Sequence, residues 1–280
     1  MQSHEFFFYS GLPRSGGTML ASLLNQHPDL HVTALSPILE LMYYSEEYFE
    51  RYSEPYTADP KPDSRDLVLR NIPQSYYAPI PKPYIMDNNR AWPNNVDRIR
   101  KYITRDPRIV CIVRDVPSIL ASFIDLIERN RNPGENFVDR WLVENNLELT
   151  TENRCAYLMQ PTGIVNQSLW SMYQGYTSGA AKHMHLVEYD LLVSRPDEVL
   201  TNILKFLGLS DYKFNVNNIV NVTPVDDVTY KLDGMHSVRS KLERRPIDPV
   251  QVLGAELVKQ YSGLEYWRQG KNNKYKIFGI

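Results

Sequence analysis

The sequence predicts an α/β fold, an open parallel sheet with helices on both faces. Three observations predict it. The apolar run Phe6-Phe7-Phe8-Tyr9 passes through the small-residue turn Gly11-Leu12-Pro13-Arg14-Ser15-Gly16-Gly17-Thr18 into a segment with helical spacing. Residues 108–113 read Arg-Ile-Val-Cys-Ile-Val, and such apolar continuity marks a strand buried on both faces of a parallel sheet. Along the rest of the first two hundred residues strand and helix signals alternate, the pattern of α/β folds.

The elements follow in order. Residues 5–9 form the first strand, and residues 18–26 a helix carrying Met19, Leu20, Leu23 and Leu24, ended by His27-Pro28-Asp29. Ser36-Pro37 starts a second helix, serine capping and proline in the first turn, that runs toward Phe49. Prolines then cluster from Pro55 to Pro83 among tyrosines; this predicts a surface excursion, over roughly 43–84, with at most one short helix near 64–71. A loop of that length in a compact domain is usually a lid or a binding loop. Tyr84-Ile85-Met86 reads as a strand, Trp92 to Tyr102 as a helix, and Pro117 opens a helix with Ile119, Leu120, Phe123, Ile124 and Ile127 on one side. Residues 130–160 and 166–178 read as helical, 185–189 as a strand, and Pro196 opens a helix closed by Gly208. Beyond about residue 210 the periodicity fades.

At 280 residues, with 42% hydrophobic content, a single domain over 1–280 is expected. A formal net charge of -2 gives no global reason to expect nucleic acid or an anionic membrane as partner, so any anion site must be local. Two cysteines are too few for a disulfide framework. No apolar window approaches the roughly 18 residues of a membrane span, and no leader pattern opens the chain. A soluble cytoplasmic protein is expected.

The turn at 11–18 carries the chemistry. A strand, a small-residue turn and a helix start aim backbone N–H groups and the positive end of a helix at one spot, which suits phosphate. The nucleotide-triphosphate loop reads G-x-x-x-x-G-K-[ST]. Gly11, Gly16 and Thr18 hold three of its four places, Gly17 occupies that of the lysine, and the cation has moved inside the loop to Arg14.

Three motifs resemble those of the sulfotransferase superfamily, which moves a sulfuryl group from 3′-phosphoadenosine 5′-phosphosulfate (PAPS) to an acceptor. Pro13-Arg14-Ser15-Gly16-Gly17-Thr18 is similar to its 5′-phosphosulfate loop. Ile112-Val113-Arg114-Asp115 followed by Ser122 resembles the arginine and serine that grip the 3′-phosphate. Tyr189 to Pro196, ending in Phe206-Leu207-Gly208, resembles a segment whose tyrosine lies near the adenine. The resemblance implies a P-loop-type open sheet with a helical, loop-rich acceptor side and a segment from 210 to 280 closing over the donor. It also implies PAPS as donor, 3′-phosphoadenosine 5′-phosphate (PAP) as product, and no metal. Arg14 would stabilise the leaving phosphate, and Arg114 suits the 3′-phosphate because a guanidinium binds such oxygens bidentately.

On the acceptor side, Asp87-Asn88-Asn89-Arg90-Ala91-Trp92 resembles a D-x-x-R-x-W found in some microbial-type members, which makes Arg90 a second cation on the transferring group. For the general base the nearby candidates are His31, then Glu40 and Asp87, with His236 more distant in sequence. The late loop Gly234 to Lys241 offers Arg239 and Lys241 to the 3′-phosphate. A small molecule, a carbohydrate or a protein tyrosine would serve as acceptor, with Trp92, Trp141 and Trp170 as lining. Plainer roles stay open: an Arg114–Asp115 ion pair, Ser122 bonded back to its own helix, Tyr189 as packing, and His183 and His185 as structural residues. Two other functions also stay open. A P-loop kinase or NTPase is disfavoured because Gly17 replaces the lysine and the buried strand ends in Arg114. A non-catalytic PAP-binding module would keep the nucleotide site without turnover.

Overall fold

A computed structural model describes residues 3–130, 133–244 and 247–268. Five strands, β1 (Glu5–Gly11), β2 (Leu30–Val32), β3 (Tyr84–Asn88), β4 (Ile109–Val113) and β5 (Met184–Glu188), form one sheet in the order β2-β3-β1-β4-β5. Every pairing is parallel, with Phe6 opposite Ile85 and Phe8 opposite Ile109. From β1 the chain builds first to one side and then, with β4, to the other. The carboxyl ends of β3, β1 and β4 therefore flank a topological switch point, where open α/β sheets bind ligands.

The helices of the first half are α1 (Gly17–Leu24), α2 (Ile38–Glu47), α3 (Glu54–Ala58), α4 (Pro62–Tyr77), α5 (Val96–Tyr102) and α6 (Val116–Arg129). There follow α7 (Phe137–Glu144), α8 (Thr151–Met159), α9 (Ile164–Thr177), α10 (Tyr189–Ser194), α11 (Pro196–Leu207), α12 (Pro249–Leu253) and α13 (Ala255–Tyr261). Alternate side chains of β1 feed two cores, as the period of two requires. Phe7 and Tyr9 pack with Leu20 and Leu24 of α1 and Ile203 and Leu207 of α11. Phe6 and Phe8 pack on the other face with Met42, Ile99 and Phe123.

Two expectations are corrected. The proline-rich stretch is largely helical: α3 and the sixteen-residue α4 occupy it. Pro62 falls in the first turn of α4, where no N–H bond is lost. Pro73 lies inside the helix and forfeits one bond, yet it belongs with Leu69 and Tyr77 to a buried i, i+4, i+8 stripe, and tertiary packing of such a stripe carries most of a helix's stability. Second, the sheet has an added strand, β2, whose three residues are too few to show a period in the sequence. The stretch 130–160 holds two helices, α7 and α8, with the non-helical residues 145–150 between them and residues 131–132 outside the described residues. The other elements agree with expectation to within a few residues, although Trp92–Asn95 is a 3-10 turn ahead of α5 and Tyr189 opens α10 instead of closing β5. After residue 210 the described residues are irregular up to α12 apart from the 3-10 turn Asp227–Tyr230, and residues 245–246 and 269–280 of the 210–280 segment lie outside the described residues.

His183 and His185 are structural. His183 Nδ1 lies 3.0 Å from Pro107 O, and the His185 ring stacks on Phe206 with centroids 5.0 Å apart. Burial pushes the pKa of His185 down from 6.5 to about 4. The unfolded chain takes up this proton at the higher pH, so the contribution is complete above pH 6.5 and is lost as pH falls toward 4, by about 3 kcal/mol. His185→Leu should therefore lose less melting temperature between neutral and mildly acidic buffer than the native chain does.

Candidate active site

A cavity of about 510 Å³ opens beyond the carboxyl ends of β1, β3 and β4. Its floor is the 11–18 loop, pressed onto β4: a Cβ at Gly11 would lie 2.5 Å from Ile112 O. Gly16 has φ 86° and ψ 19°, a left-handed conformation that L side chains rarely adopt. Ser15 is fully buried and its hydroxyl donates to Leu12 O and, at 3.3 Å, to Ile112 O. Its side chain thus ties the loop down and does not face the cavity. The first i→i−4 bond of α1 runs from Leu20 N to Gly16 O at 3.0 Å. The N–H groups of cavity-lining Gly17, Thr18 and Met19 precede it, and remain for a ligand at the positive end of the helix. The Tyr9 hydroxyl, whose pKa burial raises, donates to Gly17 O at 3.0 Å and props the turn from below.

Arg14, left-handed at φ 57°, reaches across the cavity. Its Nε donates to Ser122 Oγ at 3.3 Å and its Nη1 to Met235 O. Arg114 donates to Arg14 O at 3.3 Å and lies over the Tyr189 ring, Cζ 4.5 Å from the centroid. Four residues, from the end of β4, from α6, from α10 and from the loop, thereby form one cluster at the cavity. Asp115 caps α6 by accepting from Ser118 N at 2.9 Å, and Ser122 accepts from Arg14; among the described residues neither an Arg114–Asp115 ion pair nor a bond from Ser122 to its own helix is found.

The opposite wall comes from 34–36, Glu40, 88–91 and α9. The carbonyl of Arg90 accepts from Ser10 at 3.2 Å and Ser171 at 2.8 Å, which fixes the backbone of this cavity-lining residue. Burial lowers the pKa of Arg90, partly offset by Tyr230 nearby. Asn89 Nδ2 donates to both oxygens of Glu40, at 3.0 and 3.1 Å. The roof is Met235, His236, Ser237, Arg239, Leu242 and Glu243, with Arg239 3.9 Å from Glu243.

Several expected residues lie elsewhere. His31 does not line the cavity: it sits beside Lys82 and His4, at the end of the sheet where strands begin, and burial and these neighbours lower its pKa. Asp87 is buried, its carboxylate taken up by Ser36, by the Tyr77 hydroxyl at 2.5 Å and by Trp92 Nε1 at 2.8 Å; burial raises its pKa despite these bonds. Lys241 is exposed and outside the lining. No residue of 43–84 lines the cavity, nor do Trp92, Trp141 or Trp170. Residues that reading the sequence missed are Tyr9, Gln167, Ser168 and Ser171; nothing in their spacing separates them from ordinary core and helix positions.

A family model described as Sulfotransferase family matches residues 7–213. The chain belongs to the sulfotransferase family. No curated protein matches the sequence. Among solved structures, this sulfotransferase is similar to the sulfotransferase domain from the curacin biosynthetic pathway, at 14% identity and TM-score 0.46 over 95% of this chain and 91% of that one. It is similar to a sulfotransferase from Alicyclobacillus acidocaldarius at 13% identity and TM-score 0.47, over 81% and 87%. A mouse sulfotransferase complexed with PAP matches at 16% identity and TM-score 0.44, over 75% and 60%. The matched stretch of the sulfotransferase holds the loop, Arg114, Ser122 and Tyr189, whereas the roof residues 235–243 lie beyond it. Among its described residues no helix is long and apolar enough to cross a membrane.

Proposed function

We propose that this sulfotransferase takes its sulfuryl group from PAPS and transfers it by in-line displacement to a hydroxyl or amine. The observation that carries this is the single cluster of Arg14, Arg114, Ser122 and Tyr189 beside the first N–H groups of α1, which precede its first i→i−4 bond. Those N–H groups, with the Thr18 hydroxyl, suit the 5′-phosphosulfate. Arg114 and Ser122 suit the 3′-phosphate, with Arg239 adding charge from the roof, and the Tyr189 ring suits the adenine end. Arg14 then stands at the oxygen between phosphorus and sulfur, where negative charge grows as the bond breaks, and Arg90 approaches the transferring group from the other wall. Sulfuryl transfer asks for such alignment and charge placement more than for covalent help. The acceptor side is lined by Asn88, Asn89, Gln167, Ser168 and Ser171, amides and hydroxyls that fit a polar small molecule, a carbohydrate or the phenol of a protein tyrosine. The domain boundary at 1–280 and the closing role of the late segment belong to the same proposal.

Thermal stabilisation by PAP tests it. At about 100 times its Kd a ligand adds about 2.7 kcal/mol, which in a chain of this size raises the melting temperature by roughly 5–10 °C. The shift should appear with PAP and vanish in Arg114→Ala. A shift only with ATP and Mg²⁺ would point instead to a kinase or NTPase, and PAP binding without transfer to any acceptor to a non-catalytic module.

A further inference from the structure

The roof of the cavity carries a histidine held by an aspartate. Asp226 caps the 3-10 turn Asp227–Tyr230 by accepting from Val228 N at 3.0 Å, which fixes the backbone of Asp227. The Asp227 carboxylate then grips His236 twice, accepting from the backbone N–H at 3.0 Å and lying 2.6 Å from Nδ1. Both side chains are nine-tenths covered, and His236 lines the cavity. A carboxylate at Nδ1 favours the tautomer that carries its proton on that nitrogen, which in the neutral ring leaves Nε2 as the acceptor. Nε2 has no hydrogen-bond partner among the described residues.

The position is specific. The residue before His236 accepts the hydrogen bond of Arg14 through its carbonyl. The Tyr230 ring packs on the imidazole with centroids 5.5 Å apart, and the same tyrosine lies close enough to Arg90 to bear on its charge. His236 thus follows the residue that Arg14 bonds and packs on the tyrosine that bears on Arg90. A histidine serving only to tie the loop would need its Nδ1 bond and nothing more.

We infer that His236, oriented by Asp227, is the general base that receives the acceptor's proton. The inference rests on PAPS being the donor. The acceptor O–H gives its proton to Nε2 as its oxygen bonds to sulfur. The bond from sulfur to the bridging oxygen breaks, and its electron pair stays on the 5′-phosphate of PAP. The imidazolium, stabilised by Asp227, then passes the proton to solvent.

The test follows PAP released from PAPS, with water and with a series of phenols of graded acidity as acceptors, in the native chain, His236→Asn, His236→Ala and Asp227→Asn. PAP-dependent thermal shifts are measured on the same proteins. His236→Asn should slow transfer to weakly acidic phenols by about 10²–10⁴-fold, keep the PAP shift, and lose little with a phenol already ionised in the assay, such as 4-nitrophenol in alkaline buffer. Added imidazole should restore part of the His236→Ala rate, and Asp227→Asn should show the same dependence on acceptor acidity in weaker form. A loss independent of acceptor acidity, no loss, or a PAP shift abolished in His236→Asn would each overturn the assignment. A native chain that shows no PAP shift would instead remove the donor assignment itself, and one that binds PAP but releases none from PAPS with any acceptor would remove turnover; both results are read without reference to His236.

Discussion

Arg14→Ala is expected to slow sulfuryl transfer by about 10²–10³-fold, the usual cost of removing one donor aimed at developing charge. In the proposed reaction Arg14 takes the place of the missing loop lysine, and its guanidinium already spans from Ser122 to the roof at Met235. The charge it meets is largest after the bond to sulfur has broken. The variant should accordingly lose more affinity for PAP than for PAPS, both of which keep Arg114 and Ser122 at the 3′-phosphate in the proposed mode. The backbone sharpens the case. A non-glycine residue in the left-handed region costs about 1–2 kcal/mol, and Arg14 stays there at φ 57°. Such strain is typical of functional positions. Arg14→Gly should therefore melt no lower than the native protein while losing the same rate. Transfer measured as PAP release, beside thermal melts, checks both; a rate within a few-fold of native in either variant would take Arg14 out of the mechanism.

Gly16→Ala should disable the donor site through sterics alone. Its Cβ would lie 2.8 Å from Tyr189 Cδ2 at φ 86°, and Tyr189 cannot swing away without leaving the face of Arg114, 4.5 Å above it. The left-handed backbone adds about 1–2 kcal/mol, so the free protein should melt roughly 2–8 °C lower. The PAP-dependent shift should disappear as well. Gly17→Ala is the control: its Cβ meets nothing closer than the Tyr9 hydroxyl at 3.5 Å. That variant should keep the native melting temperature and yet bind PAP more weakly, because the new methyl group faces the ligand. If Gly16→Ala keeps a full PAP shift, the close fit of loop, tyrosine and arginine does not define the donor site.

The legible parts of the molecule are those whose cause is local. The β1–loop–α1 passage shows in sequence because an apolar run, a glycine turn and helical spacing follow one another directly. β4 shows because burial on both faces leaves no polar residue between Ile109 and Val113. Arg114 and Ser122 are legible as a pair because eight residues separate a strand end from the second turn of the next helix. By contrast, β2 has three residues and exists through pairing with β3. The proline count misjudges α4, since the buried stripe of Leu69, Pro73 and Tyr77 matters only once a core lies beneath it.

The sequence by itself determined the parallel α/β class, the glycine turn proposed to bind phosphate and the moved cation, because turn sterics and hydrophobic period act within a few residues. Which acid–base groups reach the cavity was decided by the tertiary structure. His31 follows α1 closely in the chain, but it sits toward the end of the sheet where strands begin, beside Lys82 and His4. Asp87 ends a strand next to the site, but Ser36, Tyr77 and Trp92 consume its carboxylate. His236 lies in an aperiodic segment over two hundred residues from the loop, and gains its place only when Asp227 folds against it and Arg14 bonds to the carbonyl beside it. Strand order and the path of a roof without periodicity are set by long-range packing, and no local pattern in the chain encodes them.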